Sequence, residues 1–121
     1  MFEVNVLAAQ RLVAALLPQL RAAASDGHAD LLFVTSTAAQ TAYPGGAGYN
    51  AAKAGEAMLA HALRLELNGE PIRVVEVAPG MVFTEEFTLN RLGGDQNAVD
   101  KVYEDVEAPL TAGDVADVIA Y

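Results

Sequence analysis

Cysteine is absent from the 121 residues. That excludes a disulfide scaffold and a thiolate metal site, and it fits a reducing cytoplasm. Positive charge is scarce: seven lysines and arginines stand against sixteen acids, a net charge of −9. Nucleic acid is thereby excluded as a partner, since binding it needs cations that replace condensed counterions. No uncharged apolar stretch reaches the ~18 residues of a membrane span, so no membrane partner is expected. No basic start followed by an apolar run and a small-residue cleavage site marks a secretory signal. The expected location is cytoplasmic. With two histidines, His28 in a polar loop and His61 in a helix, no metal site is expected.

What is present is apolar material, 53% of the chain, enough for the core of one small domain. The acidity is uneven. Nine acids (Glu85, Glu86, Asp95, Asp100, Glu104, Asp105, Glu107, Asp114 and Asp117) face only Arg91 and Lys101 beyond residue 84. Two readings stay open for that region: a solvated surface, or an acidic face for docking.

Residues 3–24 read as a helix whose Val4, Leu7, Leu12, Val13, Leu16, Leu17 and Leu20 cover more than one face, which predicts burial on several sides. Pro18 should bend or end it. "LLFVTS", 31–36, reads as a buried strand ending in hydroxyls, and "TAAQTAYPGGAG" as a glycine-rich loop. A helix over 49–68 follows, with small residues on much of its surface that let another backbone approach closely, and Asn68-Gly69 as its stop. "IRVVEVA", 72–78, is a second strand, halted by Pro79-Gly80. Strand, helix and strand make one βαβ unit, with parallel strands and a right-handed crossover. A short helix around 96–106 and a last helix opened by Thr111 complete the chain. Two parallel strands need further strands and cover on both faces. The expectation is therefore an internal fragment of a larger α/β domain.

Tyr49 and Lys53, at i and i+4 of a helix, share a face with Cβ atoms about 5–6 Å apart. A free phenol is a poor base near neutrality, and a neighbouring ammonium favours its ionised form, so such a pair can exchange a proton with a substrate. Ser36 stands thirteen residues earlier at the end of the first strand, where ligands of open α/β sheets gather. Asn5 is a polar residue within an apolar stretch, and a buried amide needs partners. Singly, each has a plainer reading: a chance spacing, a turn helper, a satisfied polar group, a strand stop at Pro79-Gly80.

In order along the chain, "VNVLAAQRLVAALLP", "LLFVTS", "YNAAK" and "VAPGMVFT" resemble the short-chain dehydrogenase/reductase family of nicotinamide-dependent oxidoreductases. The resemblance implies an α/β fold, a partial Rossmann-like doubly wound parallel sheet, truncated at the N-terminal nucleotide-binding half. It implies that Tyr49 exchanges the proton with an alcohol or carbonyl substrate. Lys53 would favour the ionised phenol and hold the nicotinamide ribose, Ser36 would orient the carbonyl, and Asn5 would keep a water in a relay to Lys53. Pro79, Gly80, Val82 and Thr84 would meet the nicotinamide end of the cofactor. Within the motif, Asn50 falls in a variable slot and Ala52 stands where a serine is common. The tail, "TEEFTLNRLGGDQNAVDKVYEDVEAPLTAGDVADVIAY", is similar to the branch of NADP-dependent 3-hydroxy acid and serine dehydrogenases. By that likeness the cofactor is NADP, with NAD not excluded. Phe87, Asn90 and Arg91 lie on the substrate side, in a mobile segment over 85–110. Arg91 would pair with a substrate carboxylate, or else is an ordinary surface charge.

No strand and glycine-rich turn precede Asn5, and "PGGAG" at 44–48 leads instead into the helix of Tyr49. The chain 1–121 is accordingly expected to be a single partial domain from a truncated gene or a missed upstream start. Family members dimerise through helices that correspond to 4–24 and 49–68, so a homodimer or homotetramer through these is expected. Three functions follow: an oxidoreductase; a catalytically inactive fragment that only oligomerises through its helices; or, against the order of the motifs, a small non-Rossmann ligand-binding domain.

Overall fold

Strands β1, Ala29–Val34, and β2, Ile72–Val77, pair in parallel, Ala29 opposite Ile72 and Val34 opposite Val77. The Thr35 N–H prolongs the ladder by donating to the Val77 carbonyl at 2.9 Å. Helix α1, Ala8–Ala23, precedes β1, and helix α2, Ala47–Glu66, connects β1 to β2. This computed structural model describes the backbone of residues 1–121 and the side chains of all but Glu85, Phe87 and Arg91. The chain divides into two compact units, Met1–Ala78 and Pro79–Tyr121.

In the first unit the period-2 rule of a strand sorts the side chains. Ala29 and Phe33 of β1, with Ile72 and Val74 of β2, turn inward and are buried. Asp30, Val34, Arg73 and Val75 turn outward and are exposed. The strands are thus buried on one face, not throughout. Among the described residues the helices of this unit cover a single side. On the open side Arg73 donates from Nε and Nη2 to the Asp30 carboxylate at 2.5 and 2.7 Å. An ion pair so exposed adds little to stability, because water and salt screen it.

Helix α1 departs from expectation in three ways. One π turn, Glu3–Leu7, precedes it, closed by the Ala8 N–H on the Glu3 carbonyl. Pro18 lies inside the helix, which continues to Ala23. Proline removes one backbone donor, but Leu17 and Leu20 on either side pack on the core and hold the helix across the gap. Burial is confined to one stripe, Ala9, Val13, Leu17 and Leu20, at the spacing of a single helix face. Val4 and Leu12, expected inside, are 73% and 60% exposed, because they lie off that stripe.

Helix α2 turns its small residues to the core: Ala52 and Ala60 are wholly covered and Ala57 is buried. At Gly55 an added Cβ would lie 3.2 Å from Val6 Cγ2, so the π turn packs closely on α2 there. At the helix start, a Cβ on Gly46 would overlap Asn50 Oδ1 and the Tyr43 ring. Past its end, Gly69 has φ +92°, the left-handed region open to glycine.

A polar cluster is set into the inner face. Glu76 of β2 accepts from the Thr35 hydroxyl at 2.7 Å and pairs with His61 Nε2 of α2 at 2.8 Å. The Thr35 hydrogen bond holds the Glu76 carboxyl below its ordinary value; burial opposes this, and His61 and Arg64 add to it.

The second unit is built on a two-residue parallel pair, β3 (Val82–Phe83) with β4 (Leu110–Thr111). Between them come α3, Glu85–Arg91, and α4, Gln96–Tyr103; α5, Ala112–Ala120, follows. The α4 start is capped by Asp95 and the α5 start by a capping box of Thr111 and Asp114. Tyr103 fastens the unit: its hydroxyl lies 2.7 Å from Thr88 Oγ1 and donates to the Val82 carbonyl at 3.2 Å. Its ring meets Phe83 edge-on at 5.1 Å. Among the described residues no helix is long and apolar enough to cross a membrane.

Gly46→Ala should lower stability by about 1–3 kcal/mol, as overpacking does. A thermal melt checks this, and an unchanged Tm would mean that Tyr43 and Asn50 give way without cost. A carboxyl with a depressed native value stabilises above its unfolded value and loses that contribution as pH falls through the native one. The Tm gap between the parent and Glu76→Gln should therefore be full near neutrality and close on acidification below about pH 4.5. A gap that stays constant through the acid range would deny Glu76 its ionised role.

Candidate functional site

Lys53 is anchored at the carboxyl end of β1. Its Nζ donates to the Val34 carbonyl at 3.0 Å and to Glu56 Oε2 at 2.8 Å. Both side chains of this ion pair are 12% exposed. Residues three and four apart share a helix face, so Tyr49, Lys53 and Glu56 form one row along α2. Tyr49 is half-buried in the first turn of that helix.

Ser36 sits two residues past β1, in extended backbone, and caps a 3-10 turn over Thr37–Ala39. Its Oγ accepts from the Ala38 N–H at 3.1 Å, and the residue is buried. This is the turn-helper role that a strand-ending serine invites. It uses a lone pair and leaves the hydroxyl proton to donate. Ser36 and Lys53 are thus both fixed at the same end of β1, one in the chain that leaves it and one through the Val34 carbonyl.

Asn5 lies in the π turn, a geometry frequent at functional sites. Its amide Nδ2 and its backbone N–H both reach the Met1 carbonyl, each at 3.0 Å. The turn packs on α2 at Gly55, so Asn5 stands beside the helix of Lys53, while its side-chain hydrogen bond runs back to Met1.

Of the residues expected at the cofactor, Pro79 and Gly80 form the loop after β2, and Val82 begins β3. Thr84 precedes α3 without capping it, and its Oγ1 is buried with no hydrogen-bond partner among the described residues. Of the substrate-side residues, Asn90 is exposed on α3. The side chains of Phe87 and Arg91 lie outside the described residues.

Two residues matter here that the sequence reading passed over. Asn50 donates through Nδ2 to the carbonyls of Ala38 at 2.7 Å and Thr41 at 2.9 Å, tying the loop after Ser36 to the start of α2. Its place beside Tyr49 in a variable slot hid this, since only the fold brings residues 38 and 41 to it. Glu56 was legible in principle: it follows Lys53 by three on a helix, the spacing of an ion pair.

Comparison with known proteins bears on the whole chain. The sequence pattern of short chain dehydrogenases matches residues 1–92. An uncharacterised oxidoreductase of Mycobacterium tuberculosis is 47% identical over 121 residues, all of this chain and 46% of that protein. An NADP-dependent 3-hydroxy acid dehydrogenase of Schizosaccharomyces pombe is 39% identical over the same 121 residues, 45% of its own length. Among solved structures, the closed form of a serine dehydrogenase complexed with NADP+ superposes with a TM-score of 0.86 at 31% identity. That match covers 99% of this chain and 47% of the other. The chain thus spans about half the length of the relatives it matches. Its mixed α/β architecture with parallel strands is that of their Rossmann-like fold, and it belongs to the short-chain dehydrogenase family.

Proposed function

We propose that these residues are the catalytic half of an NADP-dependent oxidoreductase that interconverts a small alcohol and its carbonyl, with a 3-hydroxy acid as substrate. The reading is carried by the arrangement at the end of β1: a partly buried ammonium fixed by two acceptors, one helical turn beyond a tyrosine, with a buried serine hydroxyl in the chain that leaves the same strand end. The names of the yeast 3-hydroxy acid dehydrogenase and of the serine dehydrogenase bound to NADP+ support the cofactor and the substrate class.

The residues present fit a nicotinamide dinucleotide. An ammonium has three donors; Val34 and Glu56 take two from Lys53, which leaves one for a ribose hydroxyl. The buried Thr84 Oγ1, which has no hydrogen-bond partner among the described residues, suits a ligand amide. By the family likeness, Pro79, Gly80 and Val82 hold the nicotinamide end with it. When bound, the nicotinamide supplies or takes up the hydride.

The chain's own groups handle the proton. Tyr49 gives its phenolic proton to the substrate oxygen in reduction and takes it back in oxidation. Lys53 stands one turn along the same helix face from that phenol. The Ser36 hydroxyl donates to the substrate oxygen and orients it. Asn5 holds a water that passes the proton on toward Lys53. By the family likeness Phe87, Asn90 and Arg91 are the substrate-side residues, with Arg91 the candidate partner for the carboxylate of the acid.

A second reading, an inactive remnant that associates through its helices, is supported by exposed Leu7, Leu12 and Leu16 on the first helix and Met58 and Leu65 on α2. In both readings helices 4–24 and 49–68 carry a homodimer or homotetramer, in the cytoplasm.

The two part on cofactor binding. Fluorescence titration of NADPH into the full-length protein should give saturable binding that Lys53→Ala weakens; a folded full-length protein that binds none would favour the remnant. In the full-length protein Tyr49→Phe should lower kcat with a 3-hydroxy acid by at least about 10²-fold while NADPH still binds. Retained turnover would remove Tyr49 from the proton step.

A further inference from the structure

Glu56 has no part in the family likeness, yet it is among the buried charged residues of the chain, 9% exposed. A carboxylate is seldom buried without a partner. Here the partner is Lys53 Nζ at 2.8 Å. The cost of taking both charges out of water makes such a pair weak evidence for stability, so its geometry is the informative part.

A lysine ammonium sits on a flexible four-carbon stem and is a rotatable point charge. The Val34 carbonyl alone, at 3.0 Å, would leave it free to swing about that one bond. A second acceptor from the same helix, three residues on, fixes two of the three N–H directions and thereby sets the third.

We infer that Glu56 is a positioning residue, whose carboxylate holds the Lys53 ammonium against the end of β1 with its remaining N–H directed to a cofactor hydroxyl. The inference rests on the reading of Lys53 as a cofactor ligand. Other charged groups on the elements packed about α2 have partners of their own. Glu3 of the π turn pairs with Arg11, Asp30 of β1 with Arg73, and Glu76 of β2 with His61. None of them is bonded to Lys53, which leaves the task to Glu56.

The test is a double-mutant cycle in the full-length protein, read as the Kd for NADPH by fluorescence. Glu56→Ala should weaken binding by about tenfold, the weight of one misdirected hydrogen bond from a charged donor. Glu56→Gln, which keeps an acceptor for Nζ, should recover most of that loss. In the Lys53→Ala background, Glu56→Ala should cost nothing further, because a residue that acts through Lys53 has nothing left to position. Equal losses in both backgrounds would overturn the inference, as would an unchanged Kd for Glu56→Ala.

If Lys53→Ala itself left the Kd unchanged, the reading of Lys53 would fail, and the inference with it. A loss with Lys53→Ala but none with Glu56→Ala would fail the inference alone. Melting curves guard against misfolding. Lys53→Ala, which strands a buried carboxylate, should melt below the double variant. The reverse order would deny the pair its mutual burial. Should Glu56→Ala fail to fold, Glu56→Leu, which fills the space but offers Nζ no acceptor, takes its place in both backgrounds with the same expected and overturning results.

Discussion

The hydrogen bond from Lys53 Nζ to the Val34 carbonyl joins the two parts on which the site depends. Where a strand's ladder ends, its remaining backbone polar groups must find other partners. Here one of them is met by an ammonium from the helix that crosses over the sheet, and the adjoining Thr35 N–H is met by Val77. The end of β1 is thereby closed with polar partners, and Ser36 emerges from it in a defined direction. Whatever holds α2 in register over β1 also holds Tyr49, Lys53 and Ser36 relative to one another. The covered alanines 52, 57 and 60 do so by letting the helix lie close.

A second set of constraints governs the loop between Ser36 and α2. It is short of regular structure and would be loose on its own. Ser36 caps its first turn, Asn50 takes up two of its carbonyls, and Gly46 permits the tight approach to Tyr43 and Asn50 where the helix begins. These contacts are local in space but come from both ends of the loop. The result is a framework at the mouth of the site made largely of backbone groups and small polar side chains. Such a framework offers little apolar burial and depends on each hydrogen bond being made.

Much of this was legible beforehand because it follows from periodicity and punctuation. The strands at 31–36 and 72–78 were marked by short apolar runs closed by hydroxyls or Pro79-Gly80. Tyr49 and Lys53 were marked by a spacing that any helix turns into a shared face. The helix over Ala112–Ala120 was announced by Thr111, whose capping geometry is a sequence signature. The misses share one cause, since each depends on what a residue packs against. Leucines 12 and 16 look like core by composition, but only one stripe of α1 meets the sheet. Pro18 looks like a stop, but flanking leucines bury and the helix runs on. Asn50 looks like a free position until the loop folds back on it. The π turn leaves no mark in the sequence at all, because it is a choice between two ladders available to the same residues.

That π turn has an architectural effect. In a regular helix each residue turns the chain by about 100°, so the orientation of the first turn dictates that of every later one. A turn closed at i+5 takes up one residue more than an α turn, which uncouples the two stretches it joins. The face that Phe2 and Val6 offer to Gly55 and the stripe that Val13 and Leu17 offer to the sheet are thus set independently. One continuous helix can serve as lid on one neighbour and wall against another. Removing a single residue from Glu3–Leu7 would lock the two faces together and sacrifice one fit to keep the other.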